Sequence, residues 1–395
     1  MAKYWHIVVA LLLAIAGLTI NSFIERNSIQ VSGQDSSVYH AQYYQLEKFL
    51  SYYDSISVHG GWSNIPEVKN ILSIGVKDSV VLLLRRRLEN ENYLEKELIT
   101  APDSFTGQMT AALKTFQQNN GLIATGIPDP ATIAALNIPA EKKTEQIRIN
   151  MEQWKTFPID TGRRYLLVNI PDFNLALIEN DSTVLKMKAI VGRTYRKTPV
   201  FNARLTHIIF NPAWNIPSTI LTEDILPLVL KDTSYLRKRH IRIYQTKRGE
   251  TRKEVPTDEV DWKTVSEKYF PYELIQNPGK DNALGVVKFM FPNQYNVYMH
   301  DTPVKDLFNE TERTFSSGCI RISNAIDLAE QLLKGKWRRK KIMQIIQSGE
   351  TVMVNLPQPV NVYIVYFTAW VDACGKVQFR KDIYERDTTL PTNPL

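Results

Sequence analysis

The chain has 395 residues, more than one typical domain, so we expect two or three folded units with a substantial core. A hydrophobic fraction of 44% and a charged fraction of 23% are typical of globular proteins and exclude general disorder. With two cysteines, Cys319 and Cys374, the chain is not a disulfide scaffold. The net charge of +7 fits an anionic polymer or a membrane surface. No nucleic-acid motif accompanies the basic runs at 85–87 and 337–341, so we predict no nucleic-acid partner and interpret these runs as solvated helix faces.

The first 24 residues predict a membrane-targeting segment. Lys3 precedes an apolar run at residues 5–20, and Phe23 and Ile24 extend it towards the ~20 residues that a spanning helix needs. A signal anchor and a signal peptide both fit residues 1–24, and we favour the anchor because no cleavage pattern lies near the end of the run. We therefore predict an extracytoplasmic, periplasmic protein that this segment attaches to the inner membrane.

Residues 36–71 and 138–160 are rich in aromatic residues and predict helices that pack together as a scaffold. Between them, residues 72–137 predict a small helical module. Its apolar residues at helical spacing include Val80, Leu83, Leu84, Leu88, Leu113 and Phe116. The module resembles the peptidoglycan-binding type 1 domain in the order of Phe105, Thr106, Gly107, Phe116, Gln117, Gly121, Gly126, Thr132 and Leu136. That resemblance implies three helices and a wall-polymer ligand, and a plain helical spacer is the alternative.

From residue 164 the apolar period changes from helical to alternating, which predicts a β-rich domain. Its first part covers residues 164–221 and its second part covers residues 284–385. The intervening residues 222–283 are polar, carry few alternating runs and predict an insertion. The strand-like runs are residues 165–170, 174–178, 185–191, 204–210 and 285–291. With the N-terminal helices, the predicted fold class is α+β.

Two features are predicted in the C-terminal part. Residues 323–333 predict a helix with Ser323 as its N-cap. Residues 363–370 and 377–380 predict a hairpin whose turn contains Cys374.

Two short runs carry candidate chemistry: residues 295–301 with His300, and residues 315–321 with Cys319. A thiol whose pKa is about 8.5 is mostly protonated at neutral pH, so a nucleophilic cysteine needs a nearby imidazole or oriented N–H dipoles. Strand alternation puts Tyr298 and His300 on one face, and Cys319 and Arg321 likewise on one face. A buried, unreactive cysteine and a structural histidine are the alternative for this pair.

The residues around Cys319 predict support for an acyl transfer. Gly318 allows close backbone approach, and the N–H groups of Gly318 and Cys319 are candidates for donors to an oxyanion. Arg321 offers two parallel donors to a substrate carboxylate. No two of the six histidines have metal-ligand spacing and no Cys-x-x-Cys is present, so we expect neither metal nor cofactor.

The His-Asp-Thr-Pro run at 300–303 and the Ser-Ser-Gly-Cys-Ile-Arg run at 316–321 resemble the catalytic signature of the bacterial L,D-transpeptidases. Ser317 stands where the commonest version of that signature has a histidine. Ser-Gly-Cys variants occur in the long, multidomain branch of the family. Further stretches that resemble that branch are residues 211–217, residues 277–285, and residues 301–303 with 307–308.

The resemblance implies a mechanism and a set of partners. His300 takes the proton of Cys319, and the thiolate attacks the third residue of a peptidoglycan tetrapeptide stem. D-Ala leaves, and an amine of a neighbouring stem opens the thioester to give a crosslink between third-position residues. Residues 222–283 become a capping subdomain over the groove, and carbapenem-type inhibitors acylate Cys319. The remaining site residues are Trp214 and Tyr298 as groove walls, with Ser316, Ser317, Gly318 and Arg321 as supports.

Three alternatives stay open. With water as acceptor the protein is an L,D-carboxypeptidase. A wall-binding anchor without catalysis would use the module at 72–137 alone. A general cysteine protease is the third alternative, although no papain-like or caspase-like context surrounds Cys319.

Overall fold

The computed structural model describes residues 38–68, 72–96, 101–245, 252–265 and 271–387. The predicted membrane-targeting segment, residues 1–24, lies outside these ranges. None of the helices within them combines the length and the hydropathy that crossing a membrane requires.

The secondary structure of the described residues separates into helices first and strands afterwards. The α-helices are α1 Ala41–Val58, α2 Ser79–Asn90, α3 Gly107–Asn119, α4 Pro130–Leu136, α5 Ala140–Thr156, α6 Ser218–Ile220, α7 Leu226–Lys231, α8 Tyr235–Lys238, α9 Ala325–Leu332 and α10 Arg339–Ser348. A π-helical turn, Leu221–Ile225, joins α6 to α7, and two 3₁₀ turns occupy Thr257–Glu259 and Asp306–Asn309. The strands are β1 Arg164–Asn169, β2 Asn174–Glu179, β3 Ser182–Gly192, β4 Phe201–Phe210, β5 Trp214–Asn215, β6 Ile241–Gln245, β7 Lys253–Val255, β8 Tyr272–Gln276, β9 Val287–Met290, β10 Met299–His300, β11 Thr314–Ser316, β12 Ile320–Ile322, β13 Val352–Val365, β14 Ala369–Val371 and β15 Val377–Phe379. This order confirms the predicted α+β class.

Helices α1 and α5 pack against each other and against the C-terminal hairpin. In α5, Ile147, Met151 and Trp154 recur at helical spacing and are buried. The Trp154 ring stacks on Phe367, with ring centroids 3.9 Å apart. Apolar burial therefore fixes these helices to the β-rich domain.

Helices α2, α3 and α4 form the predicted three-helix module. Each begins at a side chain that accepts a backbone N–H bond, namely Asp78, Thr106 and Asp129. Its fully buried centre contains Val81, Leu84, Leu88, Met109, Leu113, Phe116 and Leu136.

The basic run at 85–87 is not a solvated face, and that prediction was wrong. Arg85 and Arg87 are buried, and only Arg86 is exposed. Arg87 pairs with Glu91, whose other oxygen accepts a bond of 2.8 Å from buried Lys143 of α5. The Arg87 guanidinium also lies 3.5 Å from the ring centre of Trp62. Buried charges therefore join the module to the helical scaffold.

Nine strands form the main sheet, in the order β11-β3-β12-β10-β9-β4-β13-β1-β2. An additional pairing of β2 with β3 closes eight of them into a ring. The strand pairs β1 with β13, β3 with β11, and β10 with β12 are parallel, and the others are antiparallel. One large core, to which α9 and α10 contribute, contains the inward-facing residues.

The insertion at 222–283 contains a sheet that the sequence reasoning did not find. Strands β5, β8, β6 and β7 pair in that order, and β5 lies just before the insertion. A separate core includes Leu221, Val229, Ile243 and Leu274. The described part of the insertion is therefore folded around its own apolar interior.

The predicted hairpin is present, but its first strand is shorter than the predicted residues 363–370, because residues 363–365 belong to β13 and β14 begins at Ala369. The N-cap prediction is wrong. Strands β14 and β15 pair, with Cys374 exposed between them, and neither Cys374 nor Cys319 is in a disulfide. Helix α9 begins at Ala325 with Asn324 at its N-cap position. Ser323 instead donates its backbone N–H to Lys188 on β3, at 3.0 Å, so it continues the strand pairing.

Candidate active site

Strands β10 and β12 lie side by side and bring the two candidate runs together. Their parallel register places Met299 opposite Ile320 and His300 opposite Arg321. Met299 and Ile320 are fully buried in the core. Because side chains alternate along a strand, Tyr298, His300, Cys319 and Arg321 share the opposite face. The sequence predicted a shared face within each of the two pairs, and the strand register adds that the two faces are one.

Tyr298 and Asn296 lie next to the sulfur of Cys319. The backbone and the hydroxyl of Tyr298 both form hydrogen bonds with it, and Asn296 O lies 3.9 Å from Sγ. Burial raises the pKa of the Cys319 thiol, although Tyr298 and the charge of Lys288 act in the opposite direction. The cysteine therefore rests as a thiol at neutral pH.

His300 is buried, with 5% of its surface exposed. Its Nδ1 lies 2.5 Å from Asp301 O, so the tautomer protonated on Nδ1 donates there and leaves Nε2 free to accept. Burial, and then the charge of Arg321, lower the pKa of His300 to about 3. The imidazole is therefore neutral at physiological pH.

The structure does not contain the direct contact that the sequence suggested for the Cys-His pair. In the described part of the chain no hydrogen bond joins Cys319 Sγ to His300, because the register puts His300 opposite Arg321. Both groups rest uncharged on the same face, diagonally across two strands. A thiolate and an imidazolium can form only when the proton moves between them.

Ser316 fixes the backbone of the cysteine loop. Its hydroxyl donates to Cys319 O at 2.5 Å and accepts the Gly318 N–H at 3.1 Å. Of the two N–H groups predicted for the oxyanion, that of Gly318 is thus already engaged. Among the residues that the structure describes, no acceptor is found for the Cys319 N–H. Gly318 has a φ of 112°, which explains the need for glycine there.

Lys288 and Arg321 lie near the cysteine and Arg193 lies near Arg321, and none of the three has a carboxylate partner among the described residues. Lys288 on β9 lies opposite His300, and its Nζ is 3.8 Å from the Tyr298 ring centre. The pKa of Arg321 is lowered by burial and then by the charge of Arg193. No ion pair in the described ranges involves these three residues. The face is therefore suited to an anionic ligand.

The sequence analysis missed Lys288 and Arg193. Lys288 had a detectable signal, because it stands between the fully buried Val287 and Phe289 in an apolar alternation. Arg193 lies in the loop after β3, far from Cys319 in sequence, and had no comparable signal.

Two further residues join the site to its surroundings. Trp214 on β5 forms a side-chain hydrogen bond with Tyr298, whose pKa is raised first by burial and then by Cys319. Ser317 accepts a bond of 2.7 Å from Arg196, which the sequence analysis also missed. Within the described residues no cluster of side chains fits a metal ion.

Comparison with known proteins gives two family matches. The family described as "L,D-transpeptidase catalytic domain" matches residues 163–354. The family described as "Putative peptidoglycan binding domain" matches residues 77–136.

A Haemophilus influenzae protein described as "Putative L,D-transpeptidase" is 32% identical over 257 residues, which cover 64% of this chain and 51% of that protein. The chain thus spans about half the length of the curated relative that it matches. Among solved structures, an L,D-transpeptidase from Xylanimonas cellulosilytica is 13% identical with a TM-score of 0.22, covering 76% of this chain and all of that one. One from Stackebrandtia nassauensis is 11% identical with a TM-score of 0.27, covering 74% of this chain and 94% of that one.

Proposed function

We propose that the protein is a cysteine-dependent acyltransferase that crosslinks peptidoglycan stems, because residues 163–354 match the family of L,D-transpeptidase catalytic domains. The peptidoglycan-binding family of residues 77–136 supports the same polymer as ligand. The observation that carries the proposal is the position of the Cys319 thiol, which shares one strand face with the neutral imidazole of His300 and with Lys288 and Arg321, cations that form no ion pair with any described residue.

The first half of the reaction forms a thioester on Cys319. His300 accepts the thiol proton on Nε2, and the thiolate attacks the carbonyl of the third stem residue. The Cys319 N–H donates to the oxyanion, and such a donor contributes about 3 kcal/mol to lowering the barrier. As the C–N bond breaks, the imidazolium returns its proton to the amine of the departing D-Ala.

Substrate binding prepares His300 for this task. Arg321 and Lys288 both lower the pKa of His300. A stem carboxylate that binds these cations neutralises part of their charge, so the pKa of His300 rises and it becomes a stronger base. The cations thus have a binding role and an electrostatic one.

The second half transfers the acyl group to an amine of a neighbouring stem, which gives a crosslink between third-position residues. With water instead, the product is a tripeptide and the protein is an L,D-carboxypeptidase. Incubation of the purified protein with tetrapeptide stems, followed by mass spectrometry, separates a dimer from a tripeptide. The Cys319→Ala variant must give neither, whereas Cys374→Ser, at the exposed free thiol, must match the wild type.

The work is divided along the predicted domains. Residues 72–137 hold the wall polymer on the scaffold of 36–71 and 138–160, and residues 164–221 with 284–385 perform the chemistry. Residues 222–283 cover the groove. Peptidoglycan as substrate implies an extracytoplasmic location, and attachment to the inner membrane through residues 1–24 is tested by cell fractionation with and without that segment.

A further inference from the structure

Arg196 lies between the cysteine loop and the insertion and contacts both. Its Nη1 donates to Ser317 Oγ at 2.7 Å and to Asp224 Oδ2 at 2.6 Å, and its Nη2 pairs with Glu223. Both carboxylates belong to the π-helical turn Leu221–Ile225, within the insertion. The Arg196 side chain is only 13% exposed, so one guanidinium bridges two separate parts of the fold.

The loop that carries Arg196 is held firmly against the cysteine loop. Thr198 Oγ1 donates to Gly318 O at 2.9 Å and accepts the Gly192 N–H at 2.8 Å. A Cβ at Gly192 would lie 2.1 Å from Arg196 O, so only glycine allows this approach. A movement of the insertion that displaces Arg196 therefore also displaces the loop that carries Cys319.

The insertion meets the site at a second point. Trp214 on β5 pairs in register with Gln276 of β8, so it moves with the insertion's sheet. Its side chain forms a hydrogen bond with Tyr298, which forms one with Cys319. The insertion thus contacts residues on both sides of Cys319, through Tyr298 and through Ser317.

The contacts of Arg196 require an arginine at this position and a small hydroxyl side chain at position 317. A guanidinium offers separate donors to two carboxylates and a hydroxyl at once, which the single ammonium of lysine does not. The hydrogen bonds that Arg196 donates to Asp224 and to Glu223 raise the pKa of its guanidinium, so it stays charged. Ser317, where the family's commonest motif has a histidine, supplies the acceptor.

We propose that Arg196 is a positioning residue that fastens the insertion to the cysteine loop through Ser317, and so holds the insertion closed over Cys319 during acyl transfer. This inference rests on the proposed role of Cys319 as nucleophile. We call the linkage of Arg196 with Ser317, Glu223 and Asp224 the latch. Neither carboxylate touches the reacting atoms.

The test uses the full chain with Cys374→Ser, so that Cys319 is the only thiol. Arg196→Ala, the double change Glu223→Gln with Asp224→Asn, and their combination are compared for kcat and KM on tetrapeptide stems. The rate of Cys319 alkylation by uncharged iodoacetamide is followed by intact mass. Arg242→Ala is the matched control, because it breaks an exposed ion pair with Glu254 inside the insertion.

We expect loss of the latch to lower kcat about tenfold and to change KM by less than about twofold. The kcat of the combined variant equals that of Arg196→Ala, because the arginine change, the carboxylate changes and their combination all break the same linkage. Alkylation of Cys319 becomes at least about threefold faster as the insertion opens. Arg196→Lys keeps the charge but recovers only part of kcat. The control behaves as the parent protein.

The inference is overturned if Arg196→Ala behaves like Arg242→Ala in both assays, or if the effects of the separate variants multiply in the combined one. Glu223 and Asp224 are more exposed than Arg196, so their replacement disturbs the fold less. The double carboxylate variant therefore keeps the test valid if Arg196→Ala fails to fold. If the parent protein does not process tetrapeptide, the proposed function fails. The alkylation rates then still decide whether the latch exists.

Discussion

Replacing Glu91 by Gln removes the negative charge that balances Arg87 and Lys143 in the buried ionic cluster between the three-helix module and the scaffold. Glu91 accepts bonds from Tyr53 at 2.7 Å, from Lys143 at 2.8 Å and from Arg87. A glutamine leaves both cations buried without a counter-charge and points amide hydrogens towards donors. Removing one partner of a buried pair costs about 3–5 kcal/mol.

The pKa of Glu91 gives a second value for the loss in the free energy of unfolding. Although burial alone would raise it, Lys143 and Arg87 lower the pKa of this carboxyl from 4.5 to about 2. At 1.36 kcal/mol for each pH unit the difference amounts to about 3 kcal/mol. Because the folded-state pKa is the lower one, this stabilisation is fully present above pH 4.5 and is lost as the pH falls towards 2.

The assay is urea unfolding at pH 7, followed by tryptophan fluorescence, because Trp62 stacks on Arg87 and reports on the cluster. We expect Glu91→Gln to lower the free energy of unfolding by about 3 kcal/mol. Glu145→Gln is the control, since its pair with Lys142 is exposed and is worth less than about 1 kcal/mol. A Glu91→Gln protein as stable as the Glu145→Gln protein would refute the reasoning.

Three further predictions concern the cysteine face. Lys288→Met removes a charge that lowers the thiol pKa, so the pH profile of Cys319 alkylation moves to higher pH; an unmoved profile contradicts this. Tyr298→Phe removes the hydroxyl that forms a hydrogen bond with the Cys319 sulfur, so we expect kcat on tetrapeptide stems to fall about tenfold. An unchanged kcat would show that this hydrogen bond does not assist the reaction. Gly318→Ala forces a side chain into a backbone conformation that costs about 1–3 kcal/mol, so acylation slows at least about tenfold while sedimentation with peptidoglycan stays intact.

The face that carries Cys319 was predictable because it follows from a local pattern. Met299 and Ile320 alternate with polar neighbours, and alternation over a few residues decides which side chains enter the core. The hairpin around Cys374 and the three helices of the module were predictable for the same reason. Periodicity and caps are properties of neighbouring residues.

What the sequence did not reveal depends on distant partners. The register that places His300 opposite Arg321 is set by the whole ring of strands. The burial of Arg87 depends on Lys143, far along the chain, so an arginine run gave the impression of a solvated face. The partners of Arg196, Glu223 and Asp224, come close to it only in the folded structure, so its role could not be read from neighbouring residues.

Intact-mass spectrometry after exposure to a carbapenem tests most directly whether Cys319 is the acylated nucleophile. The wild-type protein and Cys374→Ser should each gain the mass of one inhibitor molecule, and Cys319→Ala should gain none. Peptide mapping should assign the adduct to Cys319. An adduct on the Cys319→Ala protein, or an unmodified wild type, would contradict the acyl-enzyme on which the proposed function depends.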